Sequence, residues 1–247
     1  MIKLFRNIRK NLLTEGKATK YFKYAIGEII LVVIGILIAL QINTWNNNNE
    51  ERNLEVKIMK EMRSNLKLDL YEIQEDIGIM DDINKACDYV STYLKTNELP
   101  SDSLYYYAAL LRVTPHFDPN KSGYGLLVSK GIGIITNDSL RNDISVHYER
   151  LYNYYKRYEE ERLRFHATHS EPILLKHFNM KYQEKYKYYA NFKISNEDYL
   201  ILKNDDSFLK LTDAIKFENS GVRNRAKRVE TNTLALIEAL NNELNNN

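Results

Sequence analysis

The sequence predicts an all-α protein, with one N-terminal transmembrane helix followed by an elongated antiparallel helical bundle. Three observations predict it. Between Ile29 and Leu40 every residue is apolar or Gly. Beyond Asn49, apolar residues recur with the period of an α-helix over long stretches. The 247 residues include only 9 Gly and 4 Pro, too few for the many tight turns of a sandwich or barrel.

The N-terminal segment, residues 1–23, is basic. Lys3, Arg6, Arg9, Lys10, Lys17, Lys20 and Lys23 stand against Glu15, so this segment carries +6 of a whole-chain net charge of +2. The rest of the chain is therefore net acidic. Within MIKLFRNIRKNLL, Leu4, Phe5, Ile8 and Leu12 fall on one side of a helix. That pattern suits a short helix on an anionic leaflet, or equally a solvated flank that only sets topology.

Residues 24–45, YAIGEIILVVIGILIALQINTW, form the expected membrane helix. At 1.5 Å per residue it is about 33 Å long, close to the ~30 Å of bilayer hydrocarbon. Tyr21, Phe22 and Tyr24 at one end and Trp45 at the other are the amphipathic aromatics expected at the two membrane–water interfaces. A core helix of a soluble protein rarely combines such an apolar run with aromatic ends and a basic flank. The positive-inside rule puts the N-terminus in the cytoplasm and residues 46–247 across the membrane. The apolar core ends in Leu40-Gln41-Ile42-Asn43 with no small-residue cleavage site, which favours an uncleaved signal anchor.

Glu28, Val32, Gly35, Ala39 and Ile42 share a stripe about 80° wide on this helix. Gly35 and Ala39 make a small-xxx-small pair, which lets two helix backbones approach and points to a homo-oligomer through the membrane helix. Glu28 is an acid on that stripe. The simpler reading keeps it a turn inside the interface, reaching headgroup water; the alternative is proton or ion coupling.

The run KYFKYAIGEIILVVIGILIALQINTWN resembles the signature of a bacterial family of unknown function, common in Bacteroidota. The later stretch Ser129-Lys130-Gly131-Ile132-Gly133-Ile134-Ile135, leading into Asn137-Asp138-Ser139-Leu140-Arg141, is similar to a second family feature, although members often have a small residue and leucine at the Lys130 and Ile132 positions. The resemblance implies a single-pass inner-membrane protein and no particular activity.

From Leu54 to Leu94 the apolar residues Leu54, Ile58, Met62, Leu66, Leu70, Ile73, Ile77, Met80, Ile83, Cys87, Val90 and Leu94 are spaced by about 3.6 on average, so residues 50–96 read as one straight helix, with possible breaks at the Asn46–Asn49 run and at Gly78. Leu99-Pro100 stops it, and Ser101 or Asp102 caps a short helix over 103–114. Residues 115–136, with Pro115, Pro119 and four Gly, read as irregular. Asn137 or Asp138 caps a long helix over 139–166, with Leu140, Ile144, His147, Leu151, Tyr155 and Tyr158 on one side. Pro172 opens another short helix. Lys181–Lys193 reads as a Tyr- and Lys-rich loop. Ser195 followed by Asp198 has capping-box spacing and opens a helix to Asn204. Asp205 or Asp206 opens the last helix, about 207–244, with Leu209, Ile215, Val222, Val229, Leu236 and Leu240 as its ladder, and Asn241–Asn247 reads as a frayed tail.

Candidate chemistry beyond the membrane is sparse. Asp118, Asn120, Ser122 and Gly123 copy the first half of a calcium loop, but the twelfth position is Ser129 where a bidentate Glu is needed, so a turn is the better reading. His166 and His169, with His177 or Glu171, could supply zinc ligands, yet no HExxH-type pattern is present. The 19 tyrosines, among them Tyr148, Tyr152, Tyr155 and Tyr158, read as amphipathic core ahead of a ligand platform. Cys87 is the only cysteine and lies on an apolar helix face, which favours inert packing. There is no GxSxG and no P-loop, and the outer domain is acidic, which argues against nucleic acid as a partner.

The expected function is a membrane-anchored periplasmic interaction or scaffold module in the bacterial inner membrane. Its expected partners are the lipid bilayer, a second copy of itself through the membrane helix, and unidentified proteins, with no cofactor and no catalytic activity. The alternative is a ligand-sensing domain that signals through a separate cytoplasmic partner, since 23 residues are too few to fold an output domain.

Overall fold

The computed structural model describes residues 18–96, 98–185, 188 and 190–246. About 82% of the described residues are helical, with one small two-stranded sheet among them. It divides into two compact units, Met1–Glu55 and Val56–Asn247.

Helix α1 runs from Ala18 to Tyr93 without interruption at the asparagine run or at Gly78. Asn46 illustrates why the asparagines stay helical: its side-chain amide donates to Glu50 one turn on, at 3.0 Å, and so does not compete with the backbone. In the first unit the apolar side chains of α1 are exposed. In the second unit, the face bearing Ile58, Met62, Leu66, Ile73, Met80, Ile83 and Val90 is fully buried, as the 3.6-residue ladder requires.

After α1, Ser101 accepts the amide of Leu104 and caps α2, Asp102–Leu110. Residues 113–121 have no regular structure. Residues 115–136 are less irregular than their prolines and glycines suggest, because Ser122–Lys130 forms helix α3, followed by a 3₁₀ turn over Ile132–Ile134. Asn137 caps α4, Asp138–Ser145. Helical backbone then continues through a π-helical turn, Val146–Leu151, into α5, Tyr152–Phe165, a second π turn, His166–Ser170, and α6, Glu171–His177.

The Lys181–Lys193 stretch corrects the loop reading at its ends. Strand β1, Asn179–Tyr182, pairs antiparallel with β2, Ala190–Lys193, in the register Asn179 to Lys193 and Tyr182 to Ala190. Phe192 and Ala190 enter the core, which is what holds so short a hairpin in place. Ser195 then caps α7, Asn196–Lys203, and Asp205 caps α8, Asp206–Asn245. The Asn241–Asn245 stretch is helical where fraying was expected, and Arg63 Nη1 donates to Asn241 Oδ1 at 3.0 Å.

Helix α8 lies antiparallel to the second-unit part of α1. Arg63 pairs with Asn241, Gln74 with Glu230, Asn84 with Ser220, Asp88 with Lys216 and Ser91 with Thr212, so the partner's number falls as the α1 number rises. Helix α5 runs parallel to α1: Tyr152 bonds Asp69, and Arg162, ten residues further along α5, acts on Asp76. The three long helices thus bury one another's apolar faces, with α8 antiparallel to the other two.

Candidate functional site

Two groups of residues set this protein apart from a plain bundle. The first is the exposed span in α1. Ile29, Ile30, Leu31, Val32, Val33, Ile34, Ile36, Leu37, Ile38 and Leu40 are all exposed, and Trp45 is 69% exposed. None of the best apolar window of this helix is covered by the described chain. Soluble proteins do not present so long an apolar surface to water. Val32, Gly35, Ala39 and Ile42 are exposed on the helix, and a Cβ added at Gly35 would meet no atom within 4 Å. Glu28 is half-buried at the start of the span. Phe22 and Tyr24 are exposed at its head. Lys20, Tyr21 and Lys23 lie on the first turns of α1, while Lys3, Arg6, Arg9, Lys10 and Lys17 fall outside the described residues.

The second is a buried polar seam in the second unit. The stretch 113–121, which has no regular structure, is exposed or half-buried except at Phe117, and side chains of α1 and α5 take several of its backbone polar groups. Arg162 donates to the carbonyl of Val113 at 2.9 Å. Glu159 accepts the amide of Phe117 at 3.0 Å. Asp69 accepts the amide of Asn120 at 2.9 Å, and Glu72 that of Asp118 at 3.4 Å. Asn65 accepts both the amide of Gly123 and the hydroxyl of Ser122, at 2.9 and 3.0 Å. Pro115 and Pro119 have no N–H to place. Phe117 is driven in between Tyr152 and Tyr155, with ring centroids at 5.3 and 6.0 Å.

Burial sets the charge state of the seam. It pushes Asp69 up from the usual carboxylate range, against the hydrogen bonds from Asn120 and Tyr152 that pull it down. Burial raises Asp76 to about 6, helped by Glu72 and Glu75. Burial raises Glu159 to about 8, with Asp76 and Glu72 adding to the shift. Burial lowers Arg162 to about 10. Glu159 is therefore mostly neutral at pH 7, which lets it sit 5% exposed beside an aromatic core. This is an arrangement for holding backbone in place.

The tyrosines divide between core and surface: Tyr93 and Tyr199 are buried, whereas Tyr71, Tyr106, Tyr154 and Tyr182 are exposed. Tyr148, Tyr152 and Tyr155 are buried, Tyr124 stacks on Tyr148 at 4.4 Å with rings 2° from parallel, and Tyr158 stays at the wet edge. The shift of the buried face from His147 to Tyr148 and Tyr152 occurs within and just after the first π turn, where an added residue per turn rotates the helix. Burial lowers His147 to about 4.

The three clustered histidines do not converge. His177 bonds Asp205 at 3.1 Å, His169 rests near Phe165 at 5.4 Å, and His166 is buried in the second π turn. Among the described residues no group of three His, Cys, Asp or Glu side chains is placed to hold a metal. The calcium-like segment starting at Asp118 is instead tied by its amides to α1, and Ser122 opens α3. Cys87 is buried, and its thiol is pushed up to about 12.

A family model described as "Family of unknown function (DUF6090)" matches residues 28–220, from Glu28 in the apolar span through the seam and into α8. The chain belongs to this family. No curated protein and no solved structure matches it. The matched residues include both the apolar span and the seam.

Sequence reasoning missed Asn65, Asp69, Asp76, Glu159 and Arg162. A signal was present: Asn65, Asp69 and Asp76 each stand three residues after a ladder position, Met62, Leu66 and Ile73, and therefore on the core face. Polar residues recurring on a buried stripe announce a backbone or charge to be satisfied there.

Proposed function

We propose that this chain is a single-pass, membrane-anchored interaction module with no catalytic activity of its own. Residues 24–45 cross the bilayer, residues 1–23 stay in the cytoplasm, and residues 46–247 form a periplasmic helical domain of a bacterial inner-membrane protein. The observation that carries this reading is the unbroken exposure of Ile29–Leu40, bounded by Phe22 and Tyr24 on one side and Trp45 on the other. The basic flank before Tyr24 supports the orientation. The seam supports a rigid, presented domain, because it spends its buried polar groups on fixing backbone. Exposed Leu200 and Ile201, and Phe217 at 77% exposure, give the domain apolar contacts for partner proteins. Gly35 and Ala39 support self-association within the membrane.

The experiment is fractionation of the full chain expressed in a bacterial host, with alkaline carbonate washing of the membranes. The chain should remain in the washed membrane pellet, and deletion of residues 24–45 should release it. Recovery of the intact chain in the soluble fraction would end this reading.

A second reading, ligand sensing through a separate cytoplasmic partner, is favoured by one observation: an acidic groove on α1 beside Tyr188.

A further inference from the structure

His147 lies in the π turn Val146–Leu151 and is 2% exposed. Neither of its ring nitrogens has a hydrogen-bond partner among the described residues. Its ring packs edge-on against Tyr148 and Tyr152, with centroids at 5.5 and 4.4 Å. A neutral imidazole carries one donor and one acceptor, so burying both without partners costs free energy. Burial alone shifts its titration, down to about 4 from 6.5.

Beside it, between this turn and α8, a cavity encloses about 190 Å³. Its polar walls are Asp143, one turn before His147, and Asn232 of α8; the other lining residues besides His147 are apolar. The remaining titratable groups near the ring face it through tyrosines. Tyr124 of α3 stacks on Tyr148 and donates to Glu149, and Asp69 of α1 accepts the hydroxyl of Tyr152. Asp69 also accepts the Asn120 amide, so the ring that His147 packs on is an anchor of the seam.

We propose that this π turn is an acid-responsive joint, in which the protonated His147 leaves the Tyr148 and Tyr152 rings for the cavity and donates to the Asp143 carboxylate. The spacing suits the pair, because residues four apart meet on one helix face. A π turn carries an extra residue, which lets the helix change register locally as the ring moves. The sign follows from linkage. The buried site disfavours the cation, so below about pH 6.5 the open form gains on the closed one by about tenfold per pH unit, down to about pH 4. Asp69, Asp76 and Glu159 are all raised by burial, so protonating them favours the closed fold and cannot cause acid loosening. His166 is lowered by burial as well, but lies in the second π turn. The joint is a property beyond the anchoring role and does not depend on which compartment the domain occupies.

Hydrogen–deuterium exchange of the full-length chain in nanodiscs at pH 7 and pH 5, corrected for the intrinsic pH dependence of exchange, tests the proposal. Peptides covering 143–155 should exchange at least tenfold faster at pH 5, with 116–122 following. His147→Phe fills the apolar site with a ring that cannot titrate and should abolish the acid response; His147→Gln, a second non-titrating variant, should do the same. Asp143→Asn alters an exposed side chain and should weaken the response severalfold while leaving protection at pH 7 unchanged. Unchanged protection at pH 5, an equal response in either His147 variant, or an undiminished response in Asp143→Asn would each overturn it.

Discussion

Glu159 accepts the backbone amide of Phe117 at 3.0 Å, a side chain from the middle of α5 reaching a stretch of chain 42 residues earlier that has no regular structure of its own. That bond, with those of Asp69, Asn65 and Arg162, ties an irregular, proline-containing segment to α1 and α5 around its buried residue, Phe117.

Removing the acceptor strands the amide. Glu159→Ala leaves the Phe117 N–H buried and unpaired and opens a void beside Tyr155, at a cost of about 1–3 kcal/mol from the hydrogen bond alone. Chemical denaturation of the full chain in detergent should show this as a lower midpoint. Glu159→Gln keeps an acceptor of the same shape and should recover most of the loss.

The same residue imposes a pH dependence. Burial raises Glu159 to about 8 in the folded chain, against about 4.3 in an unfolded one. The folded state therefore holds a proton that the unfolded state releases, so the stabilisation is full below about pH 4 and is lost as pH rises through about 8. Asp76, raised to about 6, has the same sign in a lower window. His147, lowered to about 4, has the opposite sign and acts only below about pH 6.5. Between pH 6.5 and 8.5 the melting temperature should fall, by about 2–4 °C for each kcal/mol lost. Glu159→Gln should flatten that slope; an equally steep slope in the variant would contradict the assignment.

Tyr152 donates to Asp69 Oδ2 at 2.7 Å while Asp69 Oδ1 takes the Asn120 amide. Tyr152→Phe deletes the hydroxyl and leaves a buried carboxylate oxygen without its donor. The expected cost is about 1.5–3 kcal/mol, the range for hydrogen bonds to charged groups, read from denaturant midpoints.

Gly123 and Gly125 sit in the same short helix with opposite constraints. A Cβ at Gly123 would come within 2.7 Å of the Met62 backbone nitrogen, so Gly123→Ala must push α3 off α1 and should cost about 1–3 kcal/mol. At Gly125 a Cβ meets nothing within 4 Å, and Gly125→Ala should stabilise by about 0.5–1 kcal/mol through helix propensity. Equal effects of the two substitutions would argue against the contact.

Cys87 is buried on the α1 core face with its thiol pushed up to about 12. A thiolate-selective disulfide reagent at pH 8 should leave it unmodified in the native chain and modify it fully in denaturant. Rapid native labelling would show that the α1 core face opens.

The helical architecture was legible because periodicity is a local property: the ladder from Ile58 to Val90 appears in the structure as a buried face, with Leu70 half-buried on it and Leu54 half-buried before it. Caps at Ser101, Asn137, Ser195 and Asp205 were legible for the same reason, since capping needs only neighbours in sequence. Helix α3 was hidden because Gly123 and Gly125 lower its intrinsic propensity, while its contact with Met62, sixty residues away in sequence, favours it. The hairpin was hidden because Phe192 pairs with Met180 only through a register that the intervening residues do not encode. The seam depends wholly on partners 42 to 58 residues apart. No spacing rule could have paired them, although the polar residues on the core stripe of α1 marked where to look.

The central claim is that residues 24–45 carry the chain across a bilayer with the helical domain on the far side. Paired fusions to the carboxyl end, one to alkaline phosphatase and one to a fluorescent protein that matures only in the cytoplasm, test it in living bacteria. High phosphatase activity with no fluorescence is the expected result. Bright fluorescence with inactive phosphatase would contradict it.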